Sequence, residues 1–224
     1  MHSMKDLDDF FSREIENKIR KNGENSDISV EKYISELLNI PISDYVNDIV
    51  EKREEIKLES ADIVQFSRLK NATDNFCKIL KDNNNPGLYY LEAGRLLQND
   101  GRKRNDSADI KYGENHCKMA EMLGLAYRVE KRFYLSTLGY KYLELSEEDK
   151  HRFLVRLIIR LPLFNNLIHA AGNGEIVYVR EKLAMLTDST YIRRRSSIIT
   201  LLKCIVSSDE YDFSSIVDNL RFSF

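Results

Sequence analysis

The sequence predicts a mainly α-helical chain with one small β-hairpin. Two observations lead to that class. Apolar residues recur at three- and four-residue spacing along most of the chain, the period of helices with one buried face. The stretch from Leu125 to Ser136 is instead dense in β-formers, on either side of a short polar break at Glu130-Lys131. Turn residues separate these segments, most clearly at Asp82-Asn-Asn-Asn-Pro-Gly87, which places a domain boundary between 1–82 and 86–224.

The first region reads as helices throughout. Met4, Leu7, Phe11, Ile15 and Ile19 form one stripe, closed by Gly23. Ser29 can cap a second helix through Leu38, which Pro41 stops. Ser43 can cap a third, with Val46, Ile49 and Val50 on one face. A fourth runs from about Ser60, with Ile63, Phe66, Leu69, Phe76 and Leu80 inward. The plain reading is a helical bundle with an intramolecular core. The sharper one is a dimerisation or docking element, which would make the protein a homodimer through these helices.

The second region opens with a helix over Leu88–Leu97, followed by a polar loop containing Gly101-Arg-Lys-Arg104. A short amphipathic helix from Gly113 then carries His116, Met119, Ala120 and Leu123 on one stripe. Gly124 stands where a helix ends in a left-handed residue. Leu125–Val129 and Arg132–Ser136 are the two strands, and Thr137 begins the next helix. Helix, hairpin, helix is the order of a winged helix, which sets its helix in a DNA groove and its hairpin against the backbone. Ser146 with Asp149 caps a further helix that breaks at Pro162 and ends at Gly172-Asn-Gly174. Ile176–Leu186 and Tyr191–Val206 repeat a helix-turn-helix rhythm, the latter with Ile192, Ile199, Leu202 and Ile205 toward the core. Leu220 to Phe224 forms a short strand or packed tail. The expected architecture is therefore a helical N-terminal bundle followed by a double winged-helix-like domain.

Composition excludes several classes of function. The net charge of −2 does not announce a nucleic-acid binder, so the distribution of charge matters more. Acids crowd residues 1–62, whereas Lys and Arg dominate 101–104, 128–132, 150–160 and 193–195. Cys77, Cys117 and Cys204 are odd in number and lack CxxC spacing, so they read as reduced core thiols. His2, His116, His151 and His169 form no HExxH, and no GxSxG, P-loop or GxGxxG occurs. With no long apolar run and no signal-like start, the expectation is a cytoplasmic protein without a membrane partner.

Four segments stand in a recognisable order: Leu123-Gly-Leu125, Leu135-Ser-Thr-Leu-Gly139, Leu161-Pro-Leu-Phe164, and Ser189-Thr-Tyr-Ile-Arg-Arg-Arg continuing to Leu202. Together, over about 86–206, they resemble the winged-helix domain attached to restriction-endonuclease-like and other prokaryotic defence proteins. The resemblance implies binding of double-stranded DNA within restriction-modification or phage defence, beside a nuclease or methyltransferase partner. Residues 1–82 lie outside it. The chain departs from that pattern in its chemistry. A nuclease of the PD-(D/E)xK type holds Mg²⁺ on carboxylates from neighbouring strands, but the nearest string, Asp48 to Lys57, lies in a helical pattern. A non-catalytic DNA-binding protein without cofactor or metal is the leading expectation. A small divergent type II restriction endonuclease, with Mg²⁺ as cofactor, is the alternative, and a winged-helix interaction adaptor is the third.

The candidate contacts follow from donor chemistry. Ser189 and Thr190 open a capped helix whose free N–H groups suit phosphate, and Arg193, Arg194 and Arg195 add planar forks. Successive helical residues point about 100° apart, so not all three can face one ligand. Asn115 and Lys118, at the expected exposed start of the Gly113 helix, suit adenine and phosphate or guanine, with Lys111 just ahead of them. His116 shares the apolar stripe and reads as a packed residue. Arg128, Lys131 and Arg132 on the hairpin suit the backbone. Tyr89, Tyr90, Tyr140 and Tyr142 read as core and rim rather than as a stacking platform.

Overall fold

The computed structural model describes residues 27–52, 55–83, 87–98 and 105–222; the Met4–Ile19 stripe and the Gly101–Arg104 cluster lie outside them. The elements run α1 (Asp27–Asn39), α2 (Ile42–Lys52), α3 (Leu69–Ala72), α4 (Asp74–Asp82), α5 (Tyr90–Leu97) and α6 (Asp106–Met122). The hairpin follows as β1 (Ala126–Val129) and β2 (Arg132–Leu135), then α7 (Thr137–Glu144), α8 (Glu147–Ile159) and α9 (Pro162–Gly172). The chain ends with β3 (Val177–Tyr178), α10 (Val179–Lys182), α11 (Asp188–Val206), α12 (Ser214–Val217) and β4 (Leu220–Arg221). The protein is mainly α.

Two compact units form, and their division differs from the expected boundary at 82–86. The described residues up to Tyr33 join Lys70–Leu145, while Ile34–Leu69 joins the chain from Ser146 onward. The turn-rich stretch after Asp82 thus falls within the first unit.

In the first unit, α4 packs against α5, α6, α7 and β2. Its apolar face, Phe76, Cys77 and Leu80, has no exposure. Phe76 meets Phe133 edge-on at 6.4 Å, joining helix to hairpin. A polar contact crosses this core: the Tyr142 hydroxyl donates to Asp74 Oδ2 at 2.9 Å. Burial, then the Asp74 carboxylate, pushes the phenol's pKa far up, so Tyr142 stays a donor.

The second unit is arranged around α9, whose residues Leu163 to Ile168 are all buried. It packs on α2, α8, α12 and β3. Pro162 opens it, and α8 and α9 meet at a bend of 80°. Polar side chains on so enclosed a helix need partners, and Asn166 finds them on the backbone, whereas the buried Asn165 Oδ1 has none among the described residues. Asn166 accepts from Ile56 N at 2.8 Å and donates to Ile56 O at 2.7 Å. Ser197 on α11 does the same to Phe66, at 2.9 Å in each direction. These bonds account for a correction to the expected fourth helix. Residues 55–68 contain only the 3₁₀ turn Ser60–Asp62, because side chains from other helices satisfy amides that a helix would have used.

Arg156 is the largest polar group in this core, at 1% exposure. It grips Glu210 with two nitrogens, at 2.6 and 3.0 Å, and donates to Ile40 O at 3.0 Å. Arg152 adds bonds to Glu210 at 3.0 Å and to Leu38 O at 3.1 Å. The pair therefore closes carbonyls left open at the end of α1 and fixes the chain after α11.

Two further expectations change here. Ile176–Leu186 is not one helix: Ile176-Val-Tyr-Val179 is a β-favouring run, and Val177 and Tyr178 pair in parallel with Leu220 and Arg221. No antiparallel hairpin occurs among the unit's described residues, so the second half of the double winged-helix expectation lacks its wing there. In α11 Leu202 and Ile205 are inward as expected, joined by Tyr191, Ile198 and Leu201, whereas Ile199 is half-buried and Ile192 is 57% exposed. The helix begins at Asp188 on a Thr187 cap, and Tyr191 takes the inward position that the stripe reading gave to Ile192.

Arg156→Ala is expected to cost about 3 kcal/mol in urea denaturation, since it leaves Glu210 with Arg152 alone, removes the donor to the Ile40 carbonyl and empties a buried position. The Arg156 guanidinium holds the Glu210 carboxyl below its usual range. That stabilisation is complete above about pH 4.5 and is lost as acid protonates Glu210, so Glu210→Gln should flatten the acid limb of the stability profile.

Candidate nucleic-acid interface

Helices α5 and α6 touch backbone to backbone. A methyl group at Gly113 would stand 1.9 Å from Tyr90 O, and one at Gly94 1.9 Å from Asp109 O. Glycine at both positions is what allows the crossing. Behind it, Leu88 bridges Phe133 antiparallel, with N–H···O distances of 3.1 and 2.9 Å. The hairpin register is Ala126↔Leu135, Tyr127↔Tyr134, Arg128↔Phe133 and Val129↔Arg132. A short sheet edge thus runs Leu88, β2, β1, and Glu130-Lys131 is its tip.

The first two motif segments interlock. Gly124 takes φ +74° to end α6, and Ser136 Oγ donates to its carbonyl at 2.7 Å while accepting from Gly139 N at 2.9 Å. A methyl at Gly139 would meet Leu125 O at 2.2 Å. The pieces Leu123-Gly-Leu125 and Leu135-Ser-Thr-Leu-Gly139 are therefore two sides of one contact.

Helix α6 starts earlier than expected, at an Asn105 cap that accepts from Ala108 N at 2.8 Å. Asn115, His116 and Lys118 therefore lie along the helix rather than at its exposed start, and Gly113 sits mid-helix because the α5 crossing requires it. Asp106 and Asp109 occupy the first turn and pair with Arg95 at 2.7 and 3.7 Å. That end is already supplied with negative charge and suits phosphate poorly.

The outward stripe of α6 is Ser107, Lys111, Glu114 and Lys118, with Ile110 beside it at 41% exposure. Lys111 and Lys118 both reach Glu114, at 2.8 and 2.6 Å. Hydrogen bonds from both lysines hold its carboxyl below the usual range. Asn115 is half-buried on the flank. His116 is wholly buried, its Nδ1 2.8 Å from Tyr112 O, and burial depresses its pKa.

On the hairpin, Arg128 stands 3.8 Å from Glu121, and Lys131 is exposed at the tip. Arg132 donates to Gly87 O at 2.9 Å and lies over the Tyr89 ring at 3.9 Å. Because Arg128 opposes Phe133 and Arg132 opposes Val129, the two arginines leave opposite faces of the hairpin. Tyr127 and Tyr134 stack at 5.5 Å on the Arg132 face.

In the second unit, Ser189 is exposed and Thr190 half-buried in the first turn of α11, and Thr187 is the cap. Arg193 is exposed but folds back on Ser189 O and Thr190 Oγ1, both at 3.2 Å. Arg194 donates to Ser60 O at 2.6 Å and Ser60 Oγ at 3.1 Å. Arg195 turns inward, with a buried Nε. The three arginines thus divide their work, and two of them face the protein.

Asp48 and Glu51 of the acidic string lie on α2, and Glu55 pairs with Lys182. Among the described residues no group of three or more His, Cys, Asp or Glu is placed to hold a metal ion. Cys77 and Cys117 are buried, and burial pushes the Cys204 thiol up to about 11. No single helix among the described residues is long and apolar enough to cross a membrane. Sequence reasoning missed Glu114, although the spacing Lys111, Glu114, Lys118 at i, i+3 and i+7 is the signal of a paired helical face. Comparison with known proteins gives no match to a family model, a curated protein or a solved structure.

Gly113→Ala should lower unfolding free energy by about 3 kcal/mol in a denaturant titration, since two backbones must separate. Protonating buried His116 opposes folding, so its contribution is whole above about pH 6.5 and lost as the pH falls. Thermal melts from pH 7.5 to 5 should show that loss, and His116→Gln should reduce it.

Proposed function

We propose that this protein is a non-catalytic binder of double-stranded DNA in a restriction-modification or phage-defence system. One observation carries the DNA reading: helix α4, the Leu88 bridge, the crossed pair α5 and α6, and a hairpin whose strands order as Leu88, β2, β1. On our reading this order of elements serves as a winged helix, in which the helix before the hairpin enters the major groove. Here it is α6, which presents Lys111 and Lys118 on its outward stripe. Lys131 at the hairpin tip, with Arg128 behind it, supplies backbone contacts that position the protein without reading sequence. The α11 cluster supports the reading less, because Arg194 is committed to Ser60. The restriction or defence setting rests on the resemblance of the four sequence segments.

A second reading, the interaction adaptor, is favoured by one feature. Lys111, Lys118 and Arg128 each stand beside a carboxylate, which lowers the positive potential of the face.

Binding of the full chain to a labelled duplex pool across a salt series separates the two. The DNA reading expects affinity to fall steeply with salt, and Lys118→Ala and Lys131→Ala each to reduce the logarithmic slope by about one. No binding at low salt would leave the adaptor. Cut products on adding Mg²⁺ would overturn the non-catalytic assignment.

A further inference from the structure

We infer that Glu114, held between Lys111 and Lys118 at the centre of the outward stripe of α6, selects cytosine in the major groove. This rests on the reading that α6 enters the groove. Ser107, Lys111, Glu114 and Lys118 share one face, and Asp109, Gly113, His116 and Ala120 are buried on the other. A groove that receives this face would meet Glu114 between the two lysines, its side chain 23% exposed.

A carboxylate is repelled by phosphate, so its favourable place is over base edges. There, an ionised carboxylate only accepts hydrogen bonds. Guanine presents O6 and N7, and thymine presents O4, all acceptors that repel it. Adenine offers its N6 amino group beside the acceptor N7. Cytosine offers the N4 amino group with no acceptor next to it on that edge, and so fits a carboxylate best. The lysines complete the match. Each holds the carboxylate with one N–H, at 2.8 and 2.6 Å, and each ammonium carries three. A remaining hydrogen can reach O6 of the paired guanine. Acid and lysine together then form an acceptor–donor pair complementary to one C·G base pair. The same pairing lessens attraction to phosphate, so Glu114 trades general affinity for selectivity.

The test is selection from a randomised duplex pool by the full-length protein and by Glu114→Gln, with thermal melting to establish that both are folded. The wild type should enrich cytosine at one position by roughly ten-fold. Glu114→Gln should lose that enrichment and move toward adenine, whose donor and acceptor a glutamine amide matches. Its affinity for unselected duplex should rise several-fold, as a negative charge leaves the face and both lysines are released. An unchanged base preference in Glu114→Gln, or a wild type that binds without preference, would overturn the role of Glu114 and leave DNA binding standing. A wild type that binds no duplex at low salt would overturn both.

Discussion

The backbone contact between Gly94 and Gly113 is the constraint on which the first unit depends. With no Cβ on either side, α5 and α6 approach until Tyr90 O and Asp109 O lie where methyl groups would otherwise stand. Glycine in a helix interior costs roughly 0.5–1 kcal/mol relative to alanine, so its presence in both helices needs a reason in packing. The close crossing is that reason. It sets the outward direction of α6, and with it the position of Lys111, Glu114 and Lys118 relative to the hairpin.

Elsewhere, side chains do for irregular backbone what ladders do for regular structure. Asn166 and Ser197 each satisfy both amide groups of one residue in the stretch from 55 to 68. His169 and Asn173 lie 3.0 Å from Ile49 O and Val50 O at the end of α2. Arg152 and Arg156 serve Leu38 O and Ile40 O. Buried peptide groups must be paired, and a segment without its own ladder is tied to whichever side chains supply the bonds. The long range of these bonds is why residues 34–69 belong with the C-terminal part of the chain.

Charge on the proposed face is balanced rather than simply basic. A face of unpaired lysines would bind any polyanion, whereas one in which Glu114 ties two lysines has less attraction to backbone and more to discriminate with. The near-neutral composition is consistent with a protein whose contacts depend on placement rather than on net charge.

The sequence alone determined the mainly helical class, the hairpin and its turn, the left-handed stop at Gly124, the cap at Ser146, and the break at Pro162, because local propensity and backbone geometry decide each of these. It did not disclose the start of α6 at Asp106. Gly113 reads locally as a boundary, and only the crossing partner, Gly94, reveals that it lies mid-helix. Nor did it show that 60–68 would forgo a helix, since the apolar spacing of Ile63, Phe66 and Leu69 suits one and the bonds that prevail come from residues more than a hundred positions away. The arginines of α11 make the same point. Their sequence spoke for a ligand, but which of them faces solvent depended on Ser60 and on how the helix is rotated against its core. Caps, turns and periodicity are properties of neighbouring residues; crossings, pinned segments and the outward face of a helix are decided by tertiary partners, which local sequence does not name.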